Sequence, residues 1–127
     1  MENQYSVIAD KEKNRLYVDL YDIDVEQARN IIDEIWERSQ ELNGGWGSIV
    51  NYTAIDIPLT EELLDVVETG MSFLKQLSMG QLVRVFNKGQ SSYADELKKR
   101  SIRLGGYEGI EARTIQDANA ILDRIPS

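Results

Sequence analysis

Apolar positions along this chain follow two rhythms in turn. Ser6-Val-Ile-Ala9 and Leu16-Tyr-Val-Asp-Leu20 are short and rich in β-formers. Leu16, Val18 and Leu20 alternate with Tyr17 and Asp19, which predicts a strand with one buried face. The polar run Asp10-Lys-Glu-Lys-Asn14 between them predicts a hairpin. From Asp24 the period becomes helical. Val25, Ala28, Ile31, Ile32, Ile35 and Trp36 form one stripe, and acidic residues fill the opposite face. Asp24 with Gln27 reads as a capping box. Asn43-Gly-Gly45 is expected to stop the helix, because Asn and Gly tolerate the left-handed backbone of a C-cap.

Trp46 to Ile57 is nearly continuous in apolar and β-branched residues, the pattern of a strand covered on both faces. Pro58, which cannot donate to a sheet ladder, is expected to end it. Thr60 then caps a second helix, with Glu61 and Glu62 at its positive end, running to about Met79. Its apolar arc is wide: Leu63, Leu64, Val66, Val67, Met71, Phe73, Leu74 and Leu77, with Gly70 on the same face. A glycine inside a helix costs ~1 kcal/mol against alanine, so Gly70 is read as allowing another element to approach closely. Gln81-Leu-Val-Arg-Val-Phe86 predicts the next strand, and Asn87-Lys-Gly-Gln90 a turn. Ser91 or Ser92 caps a third helix with a thin stripe of Ala94, Leu97, Ile102 and Leu104. Gly109-Ile-Glu-Ala-Arg113 predicts a short edge-like strand. Thr114, with Asp117 three residues on, caps a last helix whose buried stripe is Ile115, Ala118, Ile121, Leu122 and Ile125.

The order is β-β-α-β-α-β-α-β-α. Alternating strands and helices imply a largely parallel sheet with helices packed on it, and the opening hairpin makes the sheet mixed. At 127 residues the chain fits a single α/β domain, residues 1–127, long enough for a real core. Its apolar runs are too short for a transmembrane span, so no membrane insertion is expected. Glu2 and Lys11 interrupt any apolar N-terminal stretch, so no signal peptide is expected and the cytoplasm is the expected location. Cysteine and histidine are both absent, which removes disulfides, thiolate nucleophiles, the commonest general base and the commonest zinc ligand. The net charge of −8 repels nucleic acid and anionic membranes over the general surface.

The order of elements and two local stretches resemble the STAS domains of sporulation-type anti-sigma factor antagonists. "LYVDLYDIDVEQARNII" is similar to that family's second strand and first helix, and "IEARTIQDANAILDRI" to its closing strand and helix. In the family an Asp ends the third strand, and a phosphorylatable Ser followed by a Ser/Thr-Gly pair opens the next helix. Asp56 stands where that Asp would be, Ile57 takes the serine position, Pro58 follows and Leu59 replaces the Gly. The resemblance therefore implies a divergent, SpoIIAA-like bacterial member without the phosphoacceptor serine. Asp56 and Thr60 are its regulatory candidates, Thr60 as a displaced acceptor.

Read from the residues alone, Thr60 is an N-cap or a phosphoacceptor. Asp56, Glu61, Glu62 and Asp65 match no known cation loop, so no metal is expected. Trp46, in "GGWGS", is either a ring packed over a strand start or an interface anchor. Lys98, Lys99, Arg100 and Arg103 form a candidate anion patch. "GGWGSI" precedes a strand and is no dinucleotide fingerprint, and no aromatic platform flanks the basic run, so neither a cofactor nor nucleic acid is expected. No catalytic constellation is visible, and a non-enzyme is expected. Two functions remain open. One is a regulatory module that binds a protein partner or a second copy of itself, through Leu59, Leu63, Met71, Phe73 and the acidic first helix. The other is a carrier of a small apolar or lipid-like ligand held between the second helix and the sheet.

Overall fold

The computed structural model describes residues 5–22, 24–55, 60–74, 77, 79–90, 94–99 and 109–125. In chain order they form β1 (Tyr5–Asp10), β2 (Arg15–Leu20), α1 (Val25–Ser39), β3 (Trp46–Asn51), α2 (Glu61–Leu74), β4 (Met79–Val85), a helix described over residues 94–99 (α3), β5 (Ile110–Ala112) and α4 (Ile115–Asp123). They build an α/β unit with one mixed five-stranded sheet, in the order β1-β2-β3-β4-β5. β1 runs antiparallel to β2, and β2 to β5 are parallel.

That order dictates the layering. Each crossover from β2 to β5 steps to the next strand in the same direction. Right-handed crossovers then deliver every intervening helix to the same face. Accordingly α1, Leu63 and Val66 of α2, and Ala94 and Leu97 of α3 share one core with Leu16, Val18, Leu20, Val50, Leu82 and Phe86. α4, which follows the last strand, packs on the opposite face against Ile49, Val83, Val85 and Ala112. The alternation along β2 and β3 is this division between two cores.

The caps form as the side chains require. Asp24 and Gln27 exchange the two bonds of a capping box, and Thr114 Oγ1 accepts from Asp117 N. Gly70 is the crossing point of α1 and α2: a Cβ there would lie 2.6 Å from Ile32 Cδ1 and Cγ1. At the entry to β4, a Cβ on Gly80 would lie 2.5 Å from the Gly45 carbonyl oxygen, so backbone meets backbone.

Several expected boundaries move. β3 ends at Asn51 rather than Ile57, because the Asn51 side chain captures Thr53 and turns the chain. α1 closes at Ser39, several residues before Asn43-Gly-Gly45, with the backbone N–H of Gln40 bonded to Glu37 O and Arg38 O. α2 is described to Leu74, Leu77 is no longer part of it, and Met79 already belongs to β4. Trp36, expected in the buried stripe of α1, is exposed, since it lies at the stripe's margin. Ile125 follows the end of α4 and is also exposed. Residues 56–59, 91–93 and 100–108 lie outside the described residues, and with them the expected Pro58 stop, the Ser91 or Ser92 cap, Ile102 and Leu104.

A side-chain network ties α4 to β2. Arg15, nearly buried, donates to Asn119 Oδ1 and to Asp123 Oδ1, and Tyr17 Oη donates to the same Asn119 oxygen at 2.8 Å. The hydrogen bond from Arg15, with its charge, holds the Asp123 carboxyl below its ordinary pKa. On the other side of the sheet, burial and then a hydrogen bond to Glu34 raise the Tyr5 phenol above its own.

Candidate functional site

In parallel sheets ligands gather at the carboxyl ends of the strands, and the rim there is polar. Asn51, last in β3, donates from Nδ2 to Asp19 Oδ1 of β2 at 3.0 Å. Its Oδ1 accepts from Thr53 N at 3.0 Å and Thr53 Oγ1 at 2.7 Å. Asn87, just past β4, reaches the Thr53 carbonyl with Nδ2, and its Oδ1 accepts from Gly89 N. Gln90 completes the arrangement from inside. Its buried amide donates to Tyr52 O at 2.7 Å and Ile55 O at 3.1 Å, while Oε1 accepts from Asn87 N at 3.0 Å. The Tyr52 ring stacks on Phe86 with centroids 4.7 Å apart. These groups bond one another and the backbone, so the rim is a stapled corner that fixes where the chain leaves β3.

Thr60 lies beyond the corner. It is exposed, and its Oγ1 accepts from Leu63 N at 3.1 Å, the geometry of an N-cap for α2. Glu61 and Glu62 stand exposed in the first turn, where they would repel a phosphate on Thr60. Asp56 and Leu59 fall outside the described residues.

Of the expected partner surface, two members are corrected. Trp46 is 1% exposed, with its indole N–H donated to Leu77 O at 3.0 Å, so it anchors the start of β3 from within. Leu63 is likewise buried in the core. The wide apolar arc of α2 has a structural cause at these points, because α2 packs on α1 as well as on the shared core. Met71 and Phe73 lie in α2, and their side chains are outside the described residues. The exposed tryptophan is Trp36 of α1, 46% open. It sits one helical turn past Ile32, the residue at the Gly70 crossing, and beside exposed Asp33 and Glu37.

Of the expected anion patch, Lys98 and Lys99 are exposed on α3, and Arg100 and Arg103 are outside the described residues. Lys98 lines a cavity of about 240 Å³ with Arg84, Phe86, Ala94, Gly109 and Glu111. Arg84, 2% exposed, is the component that charge-run reasoning missed. Its signal was parity: Leu82 and Arg84 alternate on one face of β4 and Phe86, the residue after it, keeps the same spacing, all three buried. A second hollow of about 430 Å³ opens at the other ends of the strands, among Asn14, Arg15, Gly47, Gly80 and Asp123. Among the described residues, none of α2 lines either of these two cavities.

Among the described residues no group of three or more carboxylates could hold a metal ion, and no helix is long and apolar enough to cross a membrane. Compared with protein-family models and with curated proteins, the chain matches none.

Proposed function

We propose that this chain is a non-enzymatic, STAS-like module of the bacterial cytoplasm. It binds a protein partner through the α1 side of the α1–α2 layer and works without a phosphoserine switch. The observation that carries the reading is Trp36: a large aromatic, 46% exposed, on a helix whose outer face also presents Glu26, Asp33 and Glu37. Tryptophan is enriched among interface hot spots, and the exposed carboxylates of α1, which outnumber its exposed Arg29 and Arg38, favour a partner with basic residues around an apolar pocket. The α/β layering supports the STAS-like assignment, and the bonding of Thr60 into its cap supports the absence of a switch there. Affinity capture with the wild-type chain and with Trp36→Ala, compared by quantitative mass spectrometry, tests the proposal. A protein retained by the first and lost from the second is expected. Identical capture by both would overturn it.

A further inference from the structure

The turn between α1 and β3 carries a chemistry that the α1 surface does not use. Asn43-Gly44 is the one Asn-Gly pair in the sequence. Both residues are exposed, after the end of α1 and before the start of β3. The side-chain carbonyl carbon of an asparagine lies within reach of the next backbone nitrogen, and such an attack is effectively unimolecular. A following side chain shields that nitrogen, whereas glycine has no Cβ to do so. Among the described residues, neither the Asn43 side-chain amide nor the Gly44 N–H has a hydrogen-bond partner that would hold it back.

Asn14 adds a second element. It sits at φ +56° at the end of the hairpin turn. Its Nδ2 donates to Asn43 O at 3.2 Å, and its Oδ1 accepts from Asn43 N at 2.8 Å. The Asn43 carbonyl and the Gly44 nitrogen belong to one peptide group. A donor on that oxygen stabilises the negative charge left when the nitrogen loses its proton, which makes the nitrogen a readier nucleophile. The other asparagines differ. None precedes a glycine, and the side-chain amides of Asn14, Asn51, Asn87 and Asn119 are all hydrogen-bonded.

We infer that Asn43 is a site of spontaneous covalent modification, deamidating through Gly44. The Gly44 nitrogen bonds to Asn43 Cγ, the bond from Cγ to Nδ2 breaks, and ammonia leaves with the proton that Gly44 gave up. Water then opens the resulting succinimide at either carbonyl, to aspartate or to isoaspartate. In isoaspartate the chain runs through Cγ, so the carbonyl that Asn14 holds becomes a side carboxylate. The tie between the hairpin turn and this loop then no longer runs through the backbone. The test is incubation of the full chain at neutral and mildly alkaline pH, followed by peptide mapping with fragmentation that tells isoaspartate from aspartate. Conversion of Asn43 to both products is expected, ahead of every other asparagine, at a rate that rises with pH. Gly44 lies outside the left-handed backbone region, so Gly44→Ala adds only a Cβ beside the nitrogen and should suppress both products. Asn14→Gly keeps the left-handed backbone, removes the donor to Asn43 O and should slow the reaction several-fold. Conversion no faster at Asn43 than at Asn30 or Asn87, aspartate without isoaspartate, undiminished conversion in Gly44→Ala, or a rate unchanged or raised in Asn14→Gly would overturn the inference.

Discussion

Gln90→Leu tests the stapled corner. The substitution keeps the apolar bulk of the side chain and removes every polar contact it makes. Two donated bonds are lost, to Tyr52 O at 2.7 Å and Ile55 O at 3.1 Å, together with the bond accepted from Asn87 N at 3.0 Å. Each contributes roughly 0.5–1.5 kcal/mol, and a buried group left unmatched sits at the upper end of that range. Tyr52 O keeps a second partner, Ile55 N, which moderates the loss, and leucine returns some apolar burial. The expected net cost is about 2–3 kcal/mol, or a fall in Tm of about 8–15 °C for a domain of this size. Urea unfolding followed by tryptophan fluorescence measures it, because buried Trp46 reports on the core. Gln90→Glu should cost at least as much, since a carboxylate would face two carbonyl oxygens. A Gln90→Leu chain within about 0.5 kcal/mol of wild type, the scatter of ordinary surface substitutions, would mean that these hydrogen bonds do not hold the corner.

Further expectations follow from other positions. Gly80→Ala places a Cβ 2.5 Å from the Gly45 carbonyl oxygen, an obstacle that no rotamer relieves, and should cost about 1–3 kcal/mol in the same unfolding assay. Thr60→Ala removes the cap of α2 and should cost about 1 kcal/mol, whereas Thr60→Ser should be nearly neutral. Asp123 has a lowered pKa in the fold, so its contribution is present above the ordinary carboxylate value of 3.8 and is lost as pH falls through its folded value. Thermal melts of Asp123→Asn and wild type should therefore differ at neutral pH and converge in acid.

Much of the architecture was legible because local chemistry and tertiary packing agree. The alternation in β2, the Asp24–Gln27 capping box, the Thr114 cap and the close approach at Gly70 all sit where the sequence places them. Readings failed where a side chain captured the backbone. Nothing in the apolar run after Trp46 announces that Asn51 will bind Thr53 and end β3, because an Asx turn depends on one rotamer rather than on periodicity. Of the two readings of Trp46, the ring packed over a strand start holds, with its indole on the Leu77 carbonyl, while Trp36, read as part of the buried stripe, fell at its margin. Arg84 and Arg15 were passed over because each is a single cation in a strand, and its surroundings come from Gly109 and from α4, distant in sequence.

Photo-crosslinking inside the cell shows whether Trp36 marks a binding face. A photoreactive aromatic residue is placed at position 36 in one chain and at position 8 in another. Ile8 is a suitable control because it is 57% exposed and alternates away from the face that α1 covers. The expected result is one discrete product joining position 36 to a second protein and none from position 8. Products from both positions alike, or from neither, would contradict a binding face on α1.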